Sequence, residues 1–326
     1  MSDNSAAPDV RRLYATYGLL VLTSVFWGSA FVYSKVAETS VPPLVAAFLR
    51  FGLGSIVGLV MILARRLRDP SYVIKPRKAW LDTAVLGAVG VAGYNLFFFE
   101  GLALSQAPDG SMIIPTLTPA ITVVLAGVFL KERFRRKQAV GLSATLVGSM
   151  IFFSAIVFSH ISGGQHRIIG DLMFLGSAVL WAFATLLSKR MTSRMDPFLV
   201  STYAMVVGSL ILGMIALPQL AKIHWANLGW PFWTDVVYLA VFPSVLANWF
   251  YYLGVQQIGP SRASVFMYLV PVSSLILAAP VLGETLAPGQ FAGAALMIVG
   301  VWLINRKTRS AAPEALNSSG TAHGAP

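Results

Sequence analysis

The sequence predicts an all-α integral membrane protein of ten transmembrane helices, arranged as two inverted five-helix repeats. Three observations support this fold class: an apolar composition, ten long apolar runs, and an internal duplication. Hydrophobic residues make up 56% of the 326-residue chain and charged residues 11%, whereas soluble domains carry about 25% charged residues. A chain of this length has too little interior to bury so many apolar side chains, so a lipid bilayer must cover many of them.

Ten runs are long enough to cross a bilayer, for which a helix needs about 20 mostly apolar residues. They lie near residues 13–37, 44–64, 80–104, 108–130, 137–159, 168–192, 197–217, 232–257, 261–282 and 286–305. The first run follows a polar N-terminus and is as long as a full span, so no cleavable signal peptide is predicted. The segment 310–326 is rich in Ala, Ser and Gly and is predicted to be a disordered cytoplasmic tail.

Lys and Arg residues are distributed unevenly among the predicted loops. Twenty of the 24 lie at the termini or in the even-numbered loops, three (Lys35, Arg167 and Lys222) lie in odd-numbered loops, and Arg50 lies within a span. Because positively charged loops remain in the cytoplasm, both termini are predicted to be cytoplasmic, which requires an even number of spans. The net charge of +11 sits at the ends of apolar runs, so no nucleic-acid partner is predicted.

The second half of the chain repeats the first. Trp27 and Lys35 recur as Trp181 and Lys189 at an offset of 154. Further pairs keep an offset of 153 or 152: Asn95/Asn248, Phe97/Phe250, Gly101/Gly254, Pro119/Pro271, Glu132/Glu284, Gly141/Gly293 and Gly148/Gly300. The repeats span 13–159 and 168–306. Because each contains five helices, an odd number, the second enters the membrane from the opposite side, as in secondary transporters with a binding site at the midplane.

The repeated motifs resemble the EamA family of the drug/metabolite transporter superfamily. They are Trp-Gly-Ser-Ala-Phe from Trp27, Leu-Thr-Pro119 and Leu-Val-Pro271, with Lys-Glu132-Arg and Gly-Glu284-Thr after the helices. The resemblance covers roughly residues 15–306 and implies a central cavity formed mainly by the first four helices of each half, with the fifth and tenth helices peripheral. Similar bacterial proteins include inner-membrane exporters of amino acids and related metabolites, which implies the same location here.

Residues near the middle of the spans are candidates to line a substrate-binding site. Trp27, Trp181, Asn95 and Asn248 each lie about 15 residues into a span, near the bilayer centre. The tryptophans either line a cavity or pack helices together, and the asparagines either line it or form interhelical hydrogen bonds. Neighbouring residues complete the predicted substrate-binding set: Tyr94, Phe98, Ser244, Trp249 and Tyr252. Aromatic rings with a few amides and hydroxyls suit amphipathic small molecules.

Two charged residues within spans are candidates for gating or coupling, because ionisable groups in a membrane are usually functional. Arg50 and Glu100 are predicted at similar depths near the outer surface, and their repeat counterparts are the apolar Ala204 and Leu253. The joint asymmetry suggests that Arg50 and Glu100 pair or cooperate at an outer gate. Alternatively, Arg50 extends alone to the outer headgroups.

Prolines and glycines indicate kinked and closely packed helices. Pro119 and Pro271 remove backbone donors within spans and are candidates for moving parts of a gate. Small-residue faces on the fifth and tenth helices favour close helix packing or a homodimer contact.

Other functional classes lack their characteristic motifs. The sequence contains no His-Glu-x-x-His, Gly-x-Ser-x-Gly or P-loop motif, so neither an enzyme nor direct ATP coupling is predicted. No cysteine is present, and no metal or cofactor is predicted. Inverted halves favour alternating access over a channel. The predicted function is export of an amino acid, aromatic ones included, or of a similar amphipathic metabolite, and the alternative is a drug-like or sugar-type metabolite.

Overall fold

A computed structural model describes residues 10–37, 40–69, 79–105, 107–132, 136–157, 165–282 and 288–305, which form ten helical segments and no strand. The segments are α1 (Val10–Ala37), α2 (Pro43–Arg68), α3 (79–104), α4 (Ala107–Phe129), α5 (Arg136–Val157), α6 (Gln165–Thr192), α7 (Pro197–Leu220), α8 (230–258), α9 (260–282) and α10 (Pro288–Asn305). The all-α prediction is therefore confirmed. The predicted tail 310–326 and the Gly-Glu284-Thr motif lie outside the described residues.

The outer surface of the bundle carries many large apolar side chains. Six helices of the described chain are long and apolar enough to cross a membrane, with mean hydropathy between 1.3 and 2.1. Shorter apolar helical stretches cover Ile113–Phe129, Gln138–Ile151 and Phe291–Asn305. On α2, Ile56, Val60 and Leu63 are more than half exposed, whereas Ser55 and Gly58 on the opposite side are buried. Apolar side chains outside and small or polar ones inside are typical of helices packed within lipid.

The helix boundaries follow from local sequence. Pro43 and Pro197 occupy first-turn positions of α2 and α7, where a missing backbone N–H costs nothing. Asp196 caps α7, its Oδ1 accepting a hydrogen bond from the Phe198 backbone N–H at 2.7 Å. Gly259 separates α8 from α9 with a φ of +88°, a conformation open to glycine because it lacks a Cβ.

The third helix of each repeat contains a π-helical segment at the equivalent position. Gly87–Gly93 interrupts α3 and Ala240–Leu246 interrupts α8, and these ranges differ by the repeat offset of 153. Pro243 lies in the second segment, whereas the first contains no proline. The shared geometry therefore belongs to the repeat, and such segments frequently occur at functional sites.

Equivalent residues of the two repeats touch each other along a pseudo-twofold axis. The Ser55 and Ser209 hydroxyls lie 3.2 Å apart, and the Tyr268 hydroxyl donates to the carbonyl oxygen of its counterpart Thr116 at 3.0 Å. The first helix of each repeat packs against the third and fourth helices of the other, and the second helix packs against the third helix of the other repeat and against its own counterpart. Contacts between counterparts require a twofold relation, so the inverted-repeat architecture is confirmed.

The fifth helix of each repeat packs against its counterpart at the edge of the bundle. A Cβ added to Gly148 of α5 would lie 2.9 Å from the Gly293 carbonyl oxygen of α10, and one added to Gly141 would lie 2.9 Å from the Gly300 carbonyl oxygen. The small-residue faces on these helices therefore serve close packing within the chain.

The first described helix begins, and the last one ends, on the same side of the bundle. The Tyr17 hydroxyl donates to the carbonyl oxygen of Asn305, the last residue of α10, at 3.1 Å. We call this side the termini side and the opposite one the far side. An even number of crossings is consistent with this arrangement.

Candidate functional site

Four aromatic rings from four helices meet in the interior of the bundle. Trp27 of α1 and Trp181 of α6 form an edge-to-face pair with ring centroids 5.4 Å apart. Tyr251 of α8 lies 5.1 Å from Trp27 and 5.9 Å from Trp181, and Tyr94 of α3 lies 5.3 Å from Trp181. We call these four residues the aromatic cluster. Trp27 and Trp181 are repeat counterparts, so the cluster lies on the pseudo-twofold axis.

Each indole nitrogen of the cluster meets a different partner. The Trp27 Nε1–H donates to the Pro243 carbonyl oxygen of the second π-helical segment at 3.1 Å. The Trp181 nitrogen lies beside the Tyr251 hydroxyl without forming a hydrogen bond of ordinary geometry. The Tyr251 hydroxyl is 3.0 Å from the Thr185 hydroxyl. The cluster thus joins both repeats through rings and polar atoms together.

The two central asparagines follow the π-helical segments and make matching hydrogen bonds. The Asn95 amide donates to the Val91 carbonyl oxygen and the Asn248 amide to the Ser244 carbonyl oxygen, each at 2.7 Å. The Asn248 Oδ1 is buried and has no hydrogen-bond partner in the described part of the chain. A buried amide oxygen without a partner is costly, so this atom is available to a ligand donor.

Arg50 lies at the second π-helical segment, and its partner differs from the predicted one. Its Nε donates to the Ser244 hydroxyl at 2.8 Å, and its guanidinium carbon lies 5.1 Å from the centre of the Phe51 ring. The expected ion pair with Glu100 is not formed among the described residues, since Glu100 is exposed on α3. The asymmetric polar pair of this structure is Arg50 with Ser244, whose counterparts Ala204 and Val91 are both apolar.

The other predicted residues lie at varying distances from the cluster. Phe98 stacks on Tyr94 at 6.1 Å, and the buried Tyr252 lies 6.2 Å from Tyr251. Trp249 instead packs on Phe198 and under the Arg65 guanidinium towards the termini side, away from the four rings.

The two predicted gating prolines are both buried, but their helices differ. Pro119 lies within the continuous α4. Pro271 follows a 3-10 segment, Val265–Tyr268, in α9. The 3-10 segment lies in the helical turn before Pro271, where a proline ring disrupts regular α-helical hydrogen bonding.

Tyr251 belongs to the cluster but was absent from the predicted binding set. Its side chain is 1% exposed. Near the end of a long span, a tyrosine is equally typical of an interfacial belt. The duplication carried the missing signal, because Tyr251 is the counterpart of Phe98 at the offset of 153, and Phe98 was in the predicted set.

Two polar contacts lie on the termini side, one between the repeats and one within the second repeat. Glu132, after α4, accepts a hydrogen bond from the Ser261 hydroxyl of α9 at 2.5 Å. The Lys189 ammonium donates to the Gln256 carbonyl oxygen at 2.6 Å.

The surface also has a depression at the far side, with a volume of about 450 Å³. It is lined by residues around the start of α2 and the end of α7, including Pro42, Gln219 and His224. None of the cluster residues lines it. In the described part of the chain, no group of three or more His, Asp or Glu residues is arranged to hold a metal ion.

The fold defines a class of protein. Apolar helices in two inverted repeats are the architecture of a multi-pass membrane transporter. The EamA-like transporter family matches residues 15–154 and 168–306. The chain belongs to this family, and the two matched ranges correspond to the two repeats.

Similar proteins are transporters as well. The chain is 30% identical over 290 residues to the uncharacterized transporter YyaM of Bacillus subtilis, covering 87% of this chain and 92% of that one. It is 30% identical over 295 residues to a probable terminal-alkyne amino-acid exporter of Streptantibioticus cattleyicolor, covering 89% and 93%. A crystal structure with 21% sequence identity superimposes with a TM-score of 0.73 over 89% of this chain and 96% of that one.

Proposed function

We propose that the protein is a secondary transporter that exports amino acids or closely related amphipathic metabolites by alternating access. The observation that carries the proposal is the aromatic cluster on the pseudo-twofold axis. Its rings supply apolar faces, and the neighbouring Asn248 supplies a buried oxygen without a partner. Apolar pockets with a few placed polar groups are typical of small-molecule sites. The amino-acid exporter among the similar proteins supports the same substrate class.

Alternating access would exchange the conformations of two related repeats around this site. Opening towards the termini side requires separating Glu132 from Ser261, which is a contact between the repeats on that side. The π-helical segments in α3 and α8 adjoin the cluster and supply bends where each helix can change direction. In this proposal Pro119 and Pro271 contribute to gating, and Glu100 to coupling.

The proposed location is a bacterial inner membrane with both termini in the cytoplasm. The excess of Lys and Arg at the termini and in the even-numbered loops supports this orientation. The shared side of the Tyr17 and Asn305 ends agrees with it.

A drug-like cation is the second candidate substrate. Four aromatic rings offer the faces that bind organic cations. The Arg50 guanidinium, however, lies within electrostatic reach of the Tyr94 hydroxyl at the same site, and a fixed positive charge repels a cation. We therefore favour a substrate that carries a negative group.

The proposal is tested by uptake of radiolabelled aromatic and aliphatic amino acids into liposomes containing the purified protein, with and without a pH gradient. We expect saturable uptake that Trp27→Ala or Asn248→Ala reduces by about tenfold or more, since each removes a contact worth about 1.4 kcal/mol or more. Trp225→Ala is the matched control, because that tryptophan is exposed and stacks on Trp233. No uptake of any amino acid under any gradient would refute the substrate class and favour the drug-like or sugar-type alternative.

A further inference from the structure

Arg50 is a charged residue inside a membrane-spanning helix with no acidic partner among the described residues. It is the eighth residue of α2, and its side chain is partly buried. A cation within a membrane is costly unless it is paired or reaches water. An arginine in this position is therefore a candidate to bind a ligand that carries negative charge.

The guanidinium is held by one nitrogen and leaves the rest of its donors available. Nε donates to the Ser244 hydroxyl at 2.8 Å, and this hydroxyl in turn donates to the Leu239 carbonyl oxygen at 2.9 Å. Of the five N–H donors of an arginine, four lie on the two Nη atoms. None of these four meets an acceptor in the part of the chain that the structure describes. A planar fork of this kind matches a carboxylate with two parallel hydrogen bonds.

Ser244 connects this fork to a second polar atom. Its carbonyl oxygen accepts the Asn248 amide at 2.7 Å, which leaves the Asn248 Oδ1 buried and without a partner. One residue therefore positions a cationic donor and a neutral acceptor beside the same cluster. An acceptor oxygen of this kind suits an ammonium group, which has donors only.

The polar arrangement occurs in one repeat only. The counterparts of Arg50 and Ser244 are Ala204 and Val91, whereas the asparagine is present in both repeats as Asn95 and Asn248. The positive charge of Arg50 therefore lies on one side of the pseudo-twofold axis, with no matching charge on the other side. A substrate with a single charged end would bind there in one orientation.

We propose that the Arg50 guanidinium binds the carboxylate of the transported metabolite, while the Asn248 Oδ1 accepts a hydrogen bond from its ammonium group. The side chain of the metabolite then lies against the rings of Trp27 and Tyr251. This inference rests on the proposed function and names the chemical class of the substrate as an α-amino acid recognised through its carboxylate. Arg50 is accordingly a substrate-binding residue, and Ser244 is a positioning residue that orients its fork.

The test compares three compounds on the purified full-length protein: L-phenylalanine, phenethylamine, which lacks the carboxylate, and 3-phenylpropionate, which lacks the amine. Dissociation constants are measured by calorimetry, and uptake is measured in liposomes. We expect the wild-type protein to bind phenylalanine at least about tenfold more tightly than phenethylamine, the discrimination expected from a charge-assisted fork. Arg50→Gln should reduce this ratio to about one while phenethylamine binding remains.

Arg66→Gln is the matched control, because it removes an exposed arginine from the same helix. We expect it to leave the ratio unchanged. If Arg50→Gln does not fold, Arg50→Lys decides the matter, because lysine keeps the charge but lacks the planar fork. We expect Arg50→Lys to lower the ratio severalfold, and an unchanged ratio in either folded variant would overturn the assignment.

The outcomes separate this inference from the proposed function. A wild-type protein that binds phenylalanine and phenethylamine equally would overturn the carboxylate assignment and leave transport of amphipathic metabolites standing. A wild-type protein that binds none of the three compounds and takes up no aromatic or aliphatic amino acid in the liposome assay would overturn both.

Discussion

Gly148→Ala is expected to destabilise the protein because the added methyl group would increase the distance between the packed helices α5 and α10. The added Cβ would lie 2.9 Å from the Gly293 carbonyl oxygen, 2.9 Å from the Met297 backbone nitrogen and 3.1 Å from the Met297 Cγ. Ordinary contacts of a Cβ begin at 3.4 Å, so α5 and α10 must separate by roughly 0.5 Å. Backbone atoms on the facing helix cannot rotate away as a side-chain end could.

The separation has a calculable cost. A gap of about 0.5 Å forfeits roughly a quarter of each dispersion contact, and each contact contributes about 0.1–0.2 kcal/mol. With on the order of 40 such contacts along a helix pair, the loss is about 1–2 kcal/mol, within the usual range of about 1–3 kcal/mol for overpacking. The better helix propensity of alanine returns at most about 1 kcal/mol. The net destabilisation is therefore about 1 kcal/mol.

Unfolding of the purified protein by sodium dodecyl sulfate, followed by tryptophan fluorescence, measures this change. Gly289→Ala is the matched control, because Gly289 is exposed on α10 and an added Cβ there would meet nothing within 4 Å. We expect the control to match or slightly exceed the wild-type stability. A Gly148→Ala protein as stable as the Gly289→Ala protein would refute the close packing of α5 against α10.

Two further predictions concern other backbone and axis positions. Gly259→Ala should lower the free energy of unfolding by about 1–3 kcal/mol in the same assay, because a φ of +88° is strained for alanine. The new Cβ would also lie 3.0 Å from the Glu132 carboxylate. A variant as stable as the wild-type protein would contradict the assigned turn. Ser55→Ala and Ser209→Ala should show a coupling energy of about 0.6 kcal/mol in a double-mutant cycle, the value typical of hydrogen bonds between membrane helices. Strictly additive effects would show that the hydroxyls do not interact.

Sequence patterns predicted the architecture because membranes impose simple rules. Spans must be long and apolar, so the ten runs could be counted directly from the residues. The offsets of 152 to 154 residues showed the duplication, and the odd number of spans in each unit dictated the inversion. The central positions of Trp27, Trp181, Asn95 and Asn248 also followed, since depth within a helix depends only on residue count.

The partners of these residues could not be predicted in the same way. Residue count places Arg50 and Glu100 at similar depths, but it does not say in which direction around its helix each side chain points. In the structure Arg50 faces the second π-helical segment and bonds to Ser244, whereas Glu100 is exposed. The separation of Trp249 from the cluster has the same origin, because a rotation of about 100° per residue places it on another face of α8 from Asn248.

Composition, apolar runs and the repeat offset by themselves determined a ten-helix inverted-repeat membrane protein. Tertiary structure alone decided that Trp27 meets its own counterpart, that Tyr251 completes the aromatic cluster, and that the glycine faces of α5 and α10 pack against each other. The physical reason is that lipid selects for length and hydrophobicity along each helix. The rotation of each helix is selected by packing against its neighbours, which are far away in the chain.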